Sequence, residues 1–281
     1  VPAFAYEAPA AVADALDLLR RHGGDAKVLA GGQSLVPLLN YRLAEPRVVV
    51  DINDLPLTGV RMDDGRLKLG ALVRHHDLEA LPQSPLLREA AALIGNVRVR
   101  SLGTIGGSLA HADAAAELPM VTLALDGRVT LRSTSGTRVV EAREFFTGPL
   151  TTVMRPDELL TEVDVSAAPG MGWAIEEIAR RAGDFAIVAV TALVGLDGGG
   201  RVAHARLAFG GVGPTPVRAV AAEDALVGHE PSAERLARAA MLARDTLNPP
   251  SDAFVSGAYR RHLTGVLARR ALTRAITRAR A

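Results

Sequence analysis

The amino-acid sequence predicts an α+β protein of two domains, and three observations carry that prediction. Some segments repeat apolar residues at helical spacing. Others are β-branched runs punctuated by Gly, Asp and Pro turn signals. The order of these signals also changes along the chain: helix and strand alternate over residues 1–54, hairpins dominate 55–168, and strands followed by helices fill 169–281. The first domain is therefore expected over 1–168, as a small parallel α/β subdomain (1–54) and an antiparallel sheet with helices (55–168). A smaller domain of antiparallel sheet and helices is expected over 169–281. With 281 residues, 48% hydrophobic and 22% charged, the chain has ordinary globular composition and ample core.

Taken in order, residues 9–22 place Val12, Leu16 and Leu19 at helical spacing and stop at Gly23-Gly24. Residues 27–30 read as a short buried strand, 35–42 as a short helix tolerating Pro37 near its start, and 47–52 (RVVVDI) as a strand covered on both faces. Asp63-Asp64-Gly65 makes a hairpin of 59–62 and 66–69, and helices are expected at 71–78 and 84–94. Residues 119–125 continue as helix or strand; 127–131 and 137–140 form a second hairpin, and 158–165 a further strand. After a Pro/Gly-rich boundary at 167–172, strands are expected at 173–179, 186–196 and 203–210, with a turn at 197–200. Helices close the chain at 219–227, 232–247 and 257–280. There are no internal repeats.

The stretch from Ser101 to Pro119 (SLGTIGGSLAHADAAAELP) reads as a glycine turn at 103–107, running into a short helical segment that ends at Pro119. Gly106 and Gly107 permit close main-chain approach, and the first N–H groups of a following helix have no internal partner. With the hydroxyls of Thr104 and Ser108, this suits a phosphate. Residues 29–35 (LAGGQSL) repeat the grammar, so the pair could clamp a diphosphate. Alone, either glycine pair marks a tight turn more often than a ligand site. Neither is GxGxxG, and no Gly-Lys-Ser/Thr follows, which points to a dinucleotide held without Mg²⁺.

Composition excludes several chemistries. With 32 Lys and Arg against 31 Asp and Glu, the net charge is +1, and aromatic content is 4%, so neither a polyanion partner nor base stacking is indicated. The basic tail of Arg269, Arg270, Arg274, Arg278 and Arg280 fits the solvated face of a C-terminal helix. The absence of cysteine removes disulfides, thiolate nucleophiles, Cys-type zinc sites and Fe–S ligation from this chain. No signal peptide or transmembrane segment is apparent, which suggests a soluble, cytoplasmic protein, peripheral to the inner face of the membrane at most through a complex.

Among side chains, His75 and His76 diverge on a helix and read as solvated or hydrogen-bonded structural residues. His111 and Asp113 are a weak metal pair, better suited to supporting the glycine segment or meeting a ribose. Glu117 is a candidate for that ribose, with helix capping or a surface charge as the other reading. Residues 180–185 (RRAGDF) read as a hairpin turn with charged flanks, and 210–216 (GGVGPTP) as a rigid turn whose prolines withhold donors. No Ser/His/Asp grammar, paired carboxylates or HExxH is present, so the chemistry is left to a cofactor.

Together these segments resemble the FAD-binding medium subunit of the molybdenum hydroxylases. That group includes carbon monoxide dehydrogenase, quinoline oxidoreductase and nicotine or caffeine dehydrogenases, and the same flavin module occurs in xanthine dehydrogenase. The first FAD motif is matched by Ala30, Gly31, Gly32, Gln33 and Ser34, and the second by Thr104, Ile105, Gly106, Gly107 and Ser108. Residues 180–186 and 209–216 are further family-like stretches, so the match covers nearly the whole chain in order. It implies a vanillyl-alcohol-oxidase-like (PCMH-type) FAD domain in two subdomains, followed by a C-terminal domain of carbon monoxide dehydrogenase flavoprotein type. It implies FAD held between the glycine segments, Leu29 and Leu35 included. Asp184 and Phe185 would lie near the isoalloxazine, Ile94 and Leu160 would be apolar neighbours of the flavin, and Glu117 would meet the ribose. Ala114 replaces a common proline, and Glu176 stands where xanthine dehydrogenase has a flavin-proximal lysine. Without Cys, and with Ser34 ending the first motif, the FAD is expected to be non-covalent.

The function implied is electron transfer. A large molybdopterin subunit hydroxylates the substrate, a small subunit carries [2Fe–2S] clusters, and FAD here passes electrons to an external acceptor, in a dimer of heterotrimers. The cofactors other than FAD, molybdopterin and iron–sulfur, would sit on those partners. The rivals are a stand-alone FAD oxidoreductase with its own organic substrate and a non-catalytic nucleotide-binding or assembly subunit.

Overall fold

The computed structural model describes residues 3–281. The chain opens with β1 (Ala5–Glu7), α1 (Val12–His22), β2 (Ala26–Leu29), α2 (Leu35–Asn40) and β3 (Val48–Asp51). The three strands form a parallel sheet of order β1-β3-β2. Helix α1 buries Ala15, Leu16, Leu18 and Leu19 in the core that also holds Val48 and Val50. It ends where Gly23 takes a positive φ of 50°. Strand β1 (AYE) is exposed throughout and carries no apolar alternation, which is why the sequence did not announce it.

The next unit contains β4 (Val60–Asp63), β5 (Arg66–Gly70), α3 (His75–Glu79), α4 (Pro85–Leu93), α5 (Val97–Leu102), α6 (Ile105–His111) and α7 (Glu117–Ala124). It continues with β6 (Arg128–Ser133), β7 (Gly136–Glu141), α8 (Ala142–Phe145), β8 (Phe146–Gly148), β9 (Thr151–Thr152) and β10 (Leu159–Ser166). Strands β4-β5-β10-β6-β7 form an antiparallel sheet in that order. Leu67, Leu69, Val129, Leu131 and Val163 from this sheet share one core with Leu87, Ile105, Leu109 and Leu118 from the helices. All 8 residues of α7 are buried. A helix covered on every side shows no amphipathic stripe, so its sequence could not separate helix from strand.

The last unit is β11 (Gly172–Ala179), β12 (Ala186–Leu196), β13 (Val202–Gly210), β14 (Val217–Arg218), α9 (Val220–Asp224), α10 (Ala233–Thr246) and α11 (Gly257–Ala279). The strands make an antiparallel sheet of order β11-β12-β13-β14. Strand β12 is buried on both faces. Val188, Val190, Ala192 and Val194 join the core under α10 and α11, while Ala189 and Leu193 join the central core. Alternation of period two thus serves two cores from one apolar run.

Polar clusters close the same junction. Asp126, at φ +46° between α7 and β6, accepts from Arg206 Nε and Arg218, each at 3.1 Å. Glu89 of α4 accepts from Arg274, from Arg278 at 2.7 Å and from the Trp173 indole N–H at 3.2 Å. Arg274 also pairs with Glu176 at 2.5 Å, and Arg278 stacks over Trp173 at 4.7 Å. The solvated basic face expected for the tail therefore needs correction. Arg269, Arg270 and Arg280 are exposed, but Arg274 and Arg278 turn inward to carboxylates from distant elements. No helix among the described residues is long and apolar enough to cross a membrane.

Candidate functional site

The segment between β2 and α2 is the first half of the site. Gly32 has φ +70° and Ser34 is right-handed, a change of hand of the kind that gathers successive N–H groups on one side. The main-chain N–H groups of Gly31, Gly32, Gln33, Ser34 and Leu35 donate to no acceptor within the described residues. Val36 N returns to Gly32 O at 3.0 Å, and the Gln33 side chain donates to Gly31 O at 2.8 Å. Leu29 ends β2 behind the segment, and Ala30 follows it. A cradle of neutral amides this close to the surface fits a diphosphate.

The second glycine pair is not in a loop. Gly106 and Gly107 lie in the first turn of α6, with Thr104 as N-cap accepting from Gly107 N at 3.1 Å. Ile105 N donates to Val73 O at 3.0 Å and Gly106 N to Ala71 O at 2.9 Å. The expectation of unpartnered helix N–H groups fails for these residues, because the preceding chain crosses the helix end and takes them. The glycines serve close packing instead. A Cβ on Gly106 would stand 2.6 Å from Ala71 Cβ, and one on Gly107 would stand 2.7 Å from Thr104 Oγ1. What this segment offers a ligand is a surface without Cβ at Gly107 and the half-buried Ser108. Nor does the stretch end at Pro119, which falls in the first turn of α7, where proline costs no hydrogen bond.

The two segments meet. A Cβ on Gly31 would lie 2.1 Å from Leu102 O and 2.8 Å from Gly103 Cα. Two residues that sequence reasoning missed tie the junction. Asn53 donates to Ala30 O at 2.9 Å, and its Oδ1 accepts from Arg74 at 2.8 Å. The same guanidinium donates to Leu102 O. A lone Asn after a strand and a lone Arg before a helix carry no spacing signal.

Beneath Gly103 lies His75, which is buried, with neither ring nitrogen finding a hydrogen-bond partner. Burial lowers its pKa to about 4, against the opposing pull of the Thr104 main chain. The ring is therefore a neutral packing element, neither solvated nor hydrogen-bonded as expected, while His76 is exposed.

Helix α5, 6 residues and so about 9 Å long, leads from Gly103 back to the other end of the site. There Ile94 and Gly95 turn between α4 and α5, braced by Arg100, which donates to Ile94 O at 3.0 Å, Gly95 O at 3.2 Å and Glu79 at 2.6 Å. Against this turn sits Gly183, φ +82°, where a Cβ would stand 2.7 Å from Gly95 O. The hairpin turn joining β11 to β12, which carries Asp184 and Phe185, thus packs through Gly183 against the turn at Gly95. Phe185 is 60% exposed, and Arg180 from the same turn stacks over Phe254 at 5.2 Å.

Glu117 is buried at the first position of α7. Burial raises its pKa to about 7, helped by the charges of Glu177 and Asp113 and opposed by its own amide. Glu177 of β11 is raised by burial to about 6, and its Oε2 has no partner. Leu160 is buried in the central core on β10, opposite Leu131. Among the described residues no group of three or more His, Asp and Glu side chains is disposed to hold a metal ion, and Asp113 accepts Ala115 N at 2.8 Å. The 210–216 turn is structural, with Gly211 N donating to Ala114 O at 2.8 Å.

Comparison with known proteins covers both units. Residues 2–167 match the family described as the FAD binding domain in molybdopterin dehydrogenase, and residues 173–275 match the CO dehydrogenase flavoprotein C-terminal domain. The chain is 43% identical to the 6-hydroxypseudooxynicotine dehydrogenase complex subunit alpha of Paenarthrobacter nicotinovorans, over 99% of this chain and 96% of that one. It is 37% identical to the carbon monoxide dehydrogenase medium chain of Hydrogenophaga pseudoflava, over 99% and 98%. Among solved structures, carbon monoxide dehydrogenase from H. pseudoflava superposes with a TM-score of 0.95 at 38% identity, covering 99% of each chain. Quinoline 2-oxidoreductase from Pseudomonas putida 86 superposes with 0.95 at 36%, covering 100% and 99%. The main-chain cradle thus lies within the residues matched to the FAD binding domain, in a fold shared from end to end with chains of those two enzymes, and the chain belongs to the family of FAD-binding medium subunits of the molybdenum-containing dehydrogenases.

Proposed function

We propose that this chain holds FAD non-covalently as the electron-relay subunit of a cytoplasmic molybdopterin hydroxylase. Its partners are a large molybdopterin subunit and a small [2Fe–2S] subunit, assembled as a dimer of heterotrimers. The observation that carries the reading is the run of unpartnered N–H groups over Gly31–Leu35, abutting the second glycine segment. In this arrangement Gly31, Gly32, Gln33, Ser34 and Leu35 grip the diphosphate from one side. On the other side the segment Thr104, Ile105, Gly106, Gly107 and Ser108 presents the Cβ-free surface of Gly107 and the Ser108 hydroxyl as donor, with Thr104, Ile105 and Gly106 buried behind them. Glu117 meets the ribose, while Ile94, Leu160, Asp184 and Phe185 border the ring system. When bound, the flavin exchanges electrons singly with iron–sulfur clusters and in pairs with an external acceptor. The chain itself has no cysteine to ligate a cluster and no acid–base constellation for an organic substrate, which favours the relay over a stand-alone flavoenzyme.

An anaerobic flavin spectrum tests the reading. The flavin is expected to bleach on addition of an N-heterocycle or CO only when the copurifying partner subunits are present. Bleaching of the isolated chain by an organic substrate would establish the stand-alone enzyme instead.

A further inference from the structure

The 31–35 cradle consists of neutral amides, yet the ligand it fits carries negative charge. Arg74 is the cation placed to answer it. Its guanidinium donates to Leu102 O and to Asn53 Oδ1 at 2.8 Å, and Leu102 O is the atom that a Cβ on Gly31 would strike. Asn53 in turn donates to Ala30 O at 2.9 Å, so one side chain relays Arg74 to the root of the cradle. The surrounding charges leave the guanidinium without an ion pair among the described residues. Asp51 takes Tyr6 at 2.6 Å and Asn53 and feels the Arg74 charge only through space, without a contact ion pair, and Asp77 accepts the Arg74 main-chain N–H at 3.2 Å. Arg74 forms no salt bridge, although other half-buried arginines here, such as Arg66 and Arg218, do.

We propose that Arg74 is the electrostatic and positioning residue of the diphosphate subsite. Its hydrogen bonds hold the two glycine segments at a fixed spacing, and its unpaired charge draws the diphosphate to the amides between them. A buttress of purely structural function would be served by a neutral donor. A charge with no carboxylate in contact, beside an anion cradle, adds attraction that salt screens.

The inference rests on the FAD reading, and one titration separates the two. FAD is titrated into the flavin-free full chain by fluorescence at low and at high salt, for the wild type, Arg74→Gln, Arg74→Lys and Asn53→Ala, with ADP as competitor. Arg74→Gln is expected to weaken FAD and ADP alike by tenfold or more and to flatten the salt dependence. Arg74→Lys should lose less affinity and keep the salt dependence, and Asn53→Ala should weaken binding while keeping it too. Wild-type affinity in Arg74→Gln, or weakened binding with an unchanged salt dependence, would overturn the electrostatic role. Failure of the wild type to bind FAD or ADP at all would overturn the FAD reading beneath it.

Discussion

Glu89 and Arg274 stand 185 residues apart in sequence and form one ion pair, α4 to α11, at the junction of the central core with the C-terminal helical layer. Arg278 and the Trp173 indole complete the acceptor set of the same carboxylate. The guanidinium groups and the carboxylate are half-buried, so each depends on the others to replace lost water.

Removing the shared acceptor should therefore cost more than an average surface charge. Glu89→Ala is expected to destabilise the chain by about 1–3 kcal/mol, because the indole N–H loses its acceptor and the two cations lose the carboxylate they share, Arg274 keeping only Glu176. Arg269→Ala, on the exposed side of the same helix, should stay within about 0.5 kcal/mol. Urea unfolding of both variants checks this. Equal midpoints would mean that the cluster contributes no more than a solvated pair.

Gly31→Ala addresses the meeting of the glycine segments. Its Cβ would stand 2.1 Å from Leu102 O, a main-chain atom, with no flexible side chain to yield. The segments must separate, and FAD affinity is expected to fall at least tenfold, with a loss of about 1–3 kcal/mol in stability. Gly24→Ala has no atom within 4 Å of its Cβ and serves as the control. Retention of wild-type FAD affinity in Gly31→Ala would show that the approach can relax.

Much of this architecture was legible in the sequence because its signals are local. Asp64-Gly65 turned the first hairpin, and α1 declared itself through Leu16 and Leu19. Strand β12 declared itself through an apolar run interrupted only by Thr191 and Gly195. Elements that depend on tertiary context were not legible. Gly106 and Gly107 have the composition of a loop, and only the crossing chain at Ala71–Val73 shows them to be the packed first turn of a helix. Helix α5, with exposed Val97 and Leu102, has no apolar stripe to reveal it. Arg74, Asn53 and Glu89 act across long separations, which no spacing rule reports.

Gly183→Ala tests the far end of the site. A side chain at φ +82°, pressed against Gly95 O, must lift the turn that carries Asp184 and Phe185. FAD affinity should change less than threefold, since the cradle lies beyond α5. Flavin fluorescence and circular dichroism in the visible band should change clearly. An unaltered flavin spectrum would place Asp184 and Phe185 away from the ring.

The pH dependence of the flavin-free chain follows from Glu117. Burial raises its pKa from 4.5 to about 7, with Glu177 and Asp113 adding to the shift. The folded chain then keeps a proton over a range where the unfolded chain has released it. The stabilisation is complete below about 4.5 and is lost as pH rises through about 7. Across that interval the contribution is at most about 3 kcal/mol, and Glu177, raised to about 6, acts in the same direction. Glu117→Gln removes the ionisation, so its melting temperature should decline less between pH 5 and 8, and above pH 7 it should exceed the wild type. Parallel melting curves across that range would show that the carboxylate ionises without cost in the fold, leaving its burial without consequence for stability.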